Sequence, residues 1–353
     1  MRFGPLVLMT AAACGSTGGP KAGVVPDALA DGWSVGLPAD VQLDGRGIAE
    51  LERRIDAGEV ARPDSMLVIR HGVLVYERYF DGDRETRYDL RSATKSITSL
   101  LVGIAQDKGL LTVDTTVTER LPRYAEALGT DDRKSQITVR HLLQMRSGLN
   151  CDDWDRKSPG NEERMYDSSD WVEFVTQLGM RAEPGSEARY CTGGVVLLGA
   201  MLGNDVVTLA REWLFAPLGI ERADWQKAAG GHIDTGGHLR LRARDFAKIG
   251  QLVLNRGVWS GLLQVVSSHW LDDALADGGA LGDSKYGYLW WRNFYQVNDV
   301  RTDVVFARGN GGQLLLVMPS LDMVVVFTSA HYNDAAQDEP LAWTGQYIVP
   351  AAH

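Results

Sequence analysis

The stretch from Asp89 to Leu111, DLRSATKSITSLLVGIAQDKGLL, constrains this chain more than any other. Ile97, Leu100, Leu101 and Ile104 fall at i, i+3, i+4 and i+7, one apolar stripe of an amphipathic helix. Gly109, just after Lys108, marks where that helix stops. Its polar end reads Ser92-Ala93-Thr94-Lys95. A serine in a first turn sits among unpaired N–H groups at the positive end of the helix dipole. A lysine three residues on lies about one turn along, on a neighbouring face. A hydroxyl needs a base to become a nucleophile, and a lysine partly stripped of water can act as one. The spacing alone is common by chance, and its ordinary meaning is an N-cap serine beside a solvated lysine. The apolar helix behind the pair, and two further motifs nearer the C-terminus, reverse that.

The 353 residues are 44% hydrophobic and 23% charged, an ordinary globular balance with length for about two domains. The net charge is −10 with no long run of either sign, which argues against a nucleic-acid partner. The first residues, MRFGPLVLMTAAACGSTGG, combine one arginine, a short apolar run and small residues. That is the pattern of an export signal over residues 1–14, too short to span a membrane. Cys14 stands where the lipid of a bacterial lipoprotein would attach, whereas Ala11-x-Ala13 would be a plain cleavage site; both readings stay open. The expectation is an exported bacterial protein, periplasmic or anchored to the membrane by lipid. With Cys14 so used, Cys151 and Cys191 remain, to pair in an oxidising compartment or to stay as buried thiols.

Residues 15–40, rich in Gly, Ala, Pro and Asp, read as a tether. Leu43, Ile48, Leu51 and Ile55 predict a helix, and residues 65–80 a β-hairpin turning at His71-Gly72. Helical spacing then dominates, at 138–149, 171–179, 195–203 and 206–220, interrupted by a polar loop at 150–170. A loop of that length inside a compact domain is more often functional than idle. A helix over 242–255 and strands at 286–291, 303–307, 313–318 and 323–328 come next, with a closing helix within 335–350. Strands at both ends and helices between them predict an α/β (α+β) fold. Residues 41–111 and 236–353 would form an antiparallel sheet domain flanked by helices, and 112–235 an all-helical insertion.

The sequence contains no Gly-x-Ser-x-Gly elbow, and its seven histidines form no metal-ligand spacing, so neither metal nor cofactor is expected. A second candidate is Tyr190, in ARYCTGGVVLLG, just before a predicted helix. A tyrosine in such a place is usually a packing residue, but beside a lysine amine its oxygen can shuttle a proton. A third is FARGNGGQLLLV at 306–317, where glycines at a strand end let a backbone or a ligand come close.

In this order, Ser92-x-x-Lys95, Tyr190-x-Thr192 and a glycine-rich strand end at 307–312 resemble the serine β-lactamase and penicillin-binding-protein superfamily. The chain is most similar to its class C β-lactamase-related hydrolases: esterases, D-aminopeptidases and 6-aminohexanoate-dimer hydrolases. HLLQMRSGL, LFAPLGI, GGHLRLRARDFAKIGQLVLNRG and GGQLLLVMP support the resemblance, which covers about residues 45 to 330. It implies a β-lactamase/transpeptidase-like fold. Ser92 would be the nucleophile, Lys95 would take its proton or tune its environment, and Tyr190 would be general base and then acid. The oxyanion hole would be the N–H groups of Ser92 and Asn310. Thr192, Gly309, Gly311 and Trp154 would line the substrate, with Trp290 and Trp291 nearby. A Cys151–Cys191 bridge would pin the 150–170 loop to the site.

Two departures bear on substrate. The second motif ends in Thr192 where asparagine is frequent, and the third offers Ala307, Arg308 and Gly309 where Lys or His, then Thr or Ser, then Gly is usual. The cation that meets a β-lactam carboxylate is missing from its place. The implied partner is therefore a small ester, amide or peptide-like molecule cleaved through a covalent acyl-enzyme. D-alanyl carboxypeptidase or β-lactamase activity is the alternative. A non-catalytic envelope lipoprotein of the same fold is a second one, for which the intact Ser92, Lys95 and Tyr190 would be superfluous. Oligomeric state is not legible.

Overall fold

The structure, a computed structural model, describes residues 25–203 and 205–353; residues 1–14, read above as an export signal that includes Cys14, lie outside the described residues. Contacts divide the chain into two units. One holds the described residues up to Ala93 with Leu241–Leu262 and Arg292–His353, and the other holds Thr94–Arg240 with Leu263–Trp291. The sequence reading cuts at 112 and 235, leaving the helix after Ser92 with the sheet. By contact that helix goes with the helical unit, because Thr192–Leu202 and Ser268–Ala274 pack on it.

The first unit is built on a sheet with strand order Ser34–Val35, Val73–Tyr79, Ser65–Arg70, Met323–Thr328, Gln313–Met318, Val300–Gly309 and Trp291–Val297. Part of the segment read as tether is thus ordered: Ser34 and Val35 pair in parallel with Val73 and Leu74. The strands from Val73–Tyr79 to Val300–Gly309 pair antiparallel, in registers such as Val68↔Val325 and Leu315↔Val326. The hairpin turns at His71-Gly72, with His71 in the left-handed region at φ 52°. Ser65–Arg70, Gln313–Met318 and Met323–Thr328 are buried along their whole length, so both sheet faces are covered. Ala243–Leu254 packs on one face through Gly250, where a Cβ would come within 2.6 Å of Leu315 Cδ1. On the other face Trp343 of the closing segment meets Phe327 edge-on, 5.9 Å between ring centres. Helix Gly45–Asp56 starts on Asp44, which accepts from the Arg46 N–H, and buries Ile48, Leu51 and Ile55.

In the second unit the helix Thr94–Asp107 departs from the one-stripe expectation: every residue from Thr94 to Ala105 is buried. Most of its polar residues go inside because they find a backbone partner, while Ser99 Oγ is buried with no partner among the described residues. Ser96 Oγ donates to Leu289 O at 2.6 Å, Thr98 Oγ1 donates to Thr235 O at 2.7 Å, and Thr94 Oγ1 accepts from Leu239 N at 3.2 Å. A paired hydroxyl escapes the roughly 1–3 kcal/mol of a buried unsatisfied one. Helix Thr192–Leu202 is likewise buried on nearly every side. The run 286–291 is not one strand. Ser284–Tyr286 ends there, Leu289 takes φ 62°, Gly287 N bonds Trp290 O, and a new strand starts at Trp291. A residue at positive φ reverses the chain, and period-2 patterning does not show it.

Candidate active site

Within the first unit, Ser92 is half-buried in a short 3₁₀ turn, Arg91–Ala93, which runs straight into the helix that opens at Thr94. Asp89 Oδ1 accepts from Arg91 N at 3.0 Å, and Ala93 N closes the turn on Leu90 O at 3.0 Å. Arg91 has φ 48°, a cost that persists only where the surroundings impose it. One imposing element is the end of Val300–Gly309. A Cβ on Gly309 would stand 2.2 Å from Leu90 O and 3.1 Å from Ala93 N, so only glycine lets the strand end reach the serine turn. The next residue, Asn310, has a side chain tied to Asn333 (Asn310 Nδ2 to Asn333 Oδ1 3.0 Å), while no described residue accepts from its backbone N–H. Gly311 is buried, its N–H donates to Gln337 Oε1, and a Cβ there would meet the Tyr332 ring. Ala307 is fully buried and presents no methyl group outward. Arg308, on the opposite face of the strand, is paired with Asp338.

Within the second unit, Lys95 is 1% exposed. Its Nζ donates to Gly236 O at 2.6 Å and lies 5.0 Å from the centre of the Tyr190 ring. Burial works to discharge this ammonium, but Tyr190, Glu162, Asp153 and Asp234 outweigh it and hold its pKa above the ordinary lysine value. Asp234 is fully buried, accepts from Gly236 N at 3.1 Å, and is held by His238 Nδ1 at 2.7 Å. It thereby fixes the carbonyl that receives Lys95.

Tyr190 is buried and its ring packs against two tryptophans. Trp154 stacks on one side at 5.4 Å with the planes 3° apart, and Trp291 stacks at 5.9 Å. Trp290, also read as a neighbour of the cleft, is instead wholly buried. Cys191, next to Tyr190, is joined to Cys151 by a disulfide, and its Sγ caps the Thr192–Leu202 helix by accepting from Gly194 N at 3.3 Å. The backbone adds a further tie, Asp153 N to Tyr190 O at 2.8 Å. The 150–170 loop is thus fastened to the tyrosine by a covalent bond, a ring stack and a hydrogen bond. Trp154 itself is 58% exposed.

Thr192 differs from its sequence reading as a substrate ligand. It is fully buried, its Oγ1 donates to Glu162 Oε2 at 2.8 Å, and its N–H donates to Asp153 Oδ2 at 2.6 Å. Tyr166 OH also reaches Glu162 Oε2, at 3.2 Å, and Glu162 N donates to Asp153 Oδ1 at 3.0 Å. Burial, then the charge of Glu162, pushes the Asp153 carboxyl up to about 7. Asp152 points elsewhere, to Arg189 at 2.9 Å. Sequence reasoning noted the polar loop at 150–170 but missed Glu162, Asp234 and Gly236. Only Asp153 carried a signal, as part of Asp152-Asp153-Trp154-Asp155. Among the described residues no group of three ligand-type side chains is placed to hold a metal ion.

The beta-lactamase family model matches residues 48–345. This chain belongs to the beta-lactamase family. It is similar to 6-aminohexanoate-dimer hydrolase of Paenarthrobacter ureafaciens, 26% identical over 341 residues, covering 87% of this chain and 83% of that one. Among solved structures it is similar to EstCE1, a hydrolase with promiscuous acyltransferase activity (TM-score 0.68, 18% identity, 88% of this chain and 99% of that one). It is also similar to a family VIII carboxylesterase (TM-score 0.67, 15% identity, 86% and 96%). At these identities the structures establish the shared fold.

Proposed function

We propose that the protein is a serine hydrolase that cleaves small esters or amides through an acyl-enzyme on Ser92, with Lys95 and Tyr190 carrying the protons. The observation that carries this reading is the environment of Lys95: a lysine buried to 1% exposure, on one backbone carbonyl and over the Tyr190 ring. Lys134 and Lys248 are buried as deeply, but Lys134 sits on the Ala127 and Thr176 carbonyls and Lys248 beside Asp245; what sets Lys95 apart is the tyrosine ring next to its ammonium. Because the surrounding negative charge holds Lys95 protonated, it supplies positive charge beside the phenol, and Tyr190 is the better candidate for the base. The Asn310 N–H fits the second oxyanion donor, since no described residue accepts from it. Relatives named as an aminohexanoate-dimer hydrolase and a carboxylesterase support ester or amide cleavage.

The finer reading is a neutral or cationic substrate. Ala307 supplies no cation, Arg308 is turned to Asp338, and Asp153 and Glu162 lie with Tyr190 and Lys95 in the same unit. A β-lactam brings a carboxylate that nothing in this set answers. kcat/KM for p-nitrophenyl butyrate should exceed that for nitrocefin by about 100-fold or more. Equal values, or an advantage for nitrocefin, would overturn this preference. The N-terminal pattern also supports export, with Cys14 as a candidate lipid site. Intact mass of the protein recovered from a bacterial envelope would test that.

A further inference from the structure

Apart from Lys95 and Tyr190, the second unit carries a charged constellation that the reaction as proposed does not use. Glu162 accepts two side-chain hydrogen bonds at one oxygen, from Thr192 Oγ1 at 2.8 Å and Tyr166 OH at 3.2 Å. Thr192 is the first residue of the helix Thr192–Leu202 and stands two residues after Tyr190. Its backbone N–H is held by Asp153, whose own N–H is bonded to Tyr190 O. The Thr192 hydroxyl thus spends its only proton on Glu162 and has none for a substrate. This arrangement resists explanation as simple packing. Two half-buried carboxylates meet at the start of one helix, facing an ammonium that is itself fully enclosed.

We propose that Glu162 is a positioning residue for the Lys95–Tyr190 pair: anchored by Thr192 and Tyr166, it fixes the backbone just after Tyr190 and keeps a negative charge facing the Lys95 ammonium. This rests on the roles assigned to Lys95 and Tyr190 above. The groups that face Lys95 are Tyr190, Glu162, Asp153 and Asp234. Asp234 is answered by His238, and Asp152 is occupied by Arg189. Glu162 and Asp153 are therefore the loop's contribution to the charge around the pair. Whichever of Lys95 or Tyr190 loses the proton on activation, the loss leaves the pair one charge more negative. A facing carboxylate opposes that loss, so removing its charge eases it.

The test is the rate at which a fluorophosphonate labels Ser92, followed by intact mass between about pH 5 and 9. This readout needs no knowledge of the substrate. Glu162→Gln, which keeps shape and acceptor but loses the charge, is made together with Asp153→Asn, because Asp153, pushed up to about 7 in part by Glu162, would otherwise ionise in its place. Relative to Asp153→Asn alone it should move the acid limb of the labelling profile down by about one unit. Glu162→Asp keeps the charge and shortens the reach, so the limb should stay in place while the plateau rate falls about tenfold. Thr192→Val, which removes the anchoring hydroxyl, should slow the wild type but add little to Glu162→Gln. An unmoved limb on adding Glu162→Gln to Asp153→Asn, or additive losses when Thr192→Val is combined with Glu162→Gln, would overturn the inference and leave Glu162 a structural residue. If the Glu162→Gln variants do not fold, a limb that shifts in Glu162→Asp, or a plateau that does not fall, overturns it equally. Labelling that is absent in the wild type, or that survives Ser92→Ala, would instead sink the hydrolase reading itself.

Discussion

Ser92 and Lys95 are three residues apart in the chain but are held by different physics. The surroundings of Ser92 in its unit are largely backbone: a tight turn, a glycine that lets a strand end approach, and amide groups. The surroundings of Lys95 in its unit are charge: Asp153, Glu162 and Asp234 gathered around an enclosed ammonium, with a tyrosine ring that two tryptophans stack on. A site built from backbone is sensitive to volume and indifferent to pH. One built from buried charge tolerates small changes of shape but answers to every proton.

That contrast can be broken in order of effect. Ser92→Ala should abolish turnover, by on the order of 1,000-fold or more, with the fold unchanged by circular dichroism. Tyr190→Phe should cost about 100-fold in kcat while Ser92 remains in place. A Tyr190→Phe variant with full activity would move the base elsewhere. Gly309→Ala tests the backbone side alone. The added methyl meets carbonyl and amide backbone that cannot rotate away, so strain of about 1–3 kcal/mol is expected, with a fall in kcat that is the same at every pH. A pH-dependent fall would show that the two sides are not as separate as described. The smallest effect on chemistry, though not on stability, belongs to the disulfide. It closes a span of 40 residues, and Cys151→Ser with Cys191→Ser should lower unfolding free energy by about 3–4 kcal/mol in the chain-entropy account. Urea unfolding with and without reductant checks it; identical midpoints would mean the bridge constrains nothing.

The same contrast governs what the sequence could reveal. The Ser92 side was readable in part because glycines and motif order advertise backbone geometry: the strand Gln313–Met318 lies where patterning put it, whereas the strand read at 303–307 runs from Val300 to Gly309. The Lys95 side was legible only in its motif residues. Glu162 lies 30 residues from Thr192, and Gly236 lies 141 from Lys95, and no local pattern links such partners. Thr192 was misread for the same reason, since its hydrogen-bond partners are set by the fold of the loop. The helix Thr94–Asp107 taught a similar lesson. Its serines and threonines looked like a solvent face, yet distant backbone groups pair with Thr94, Ser96 and Thr98 and allow burial all round.

The sheet has a consequence for how the protein comes into being. Ser65 and Thr328 bond side chain to side chain across adjacent strands, 263 residues apart. As the chain leaves the ribosome, the early hairpin waits with an open edge until the final strands arrive. Most of the helical unit, Thr94–Arg240, is contiguous and can collapse while synthesis continues. The turn that presents Ser92 belongs to the later unit and is braced by Gly309. On the proposed reading, a chain that stops before Gly309 would lack the brace of the Ser92 turn and would be chemically silent even with Lys95 and Tyr190 already synthesised.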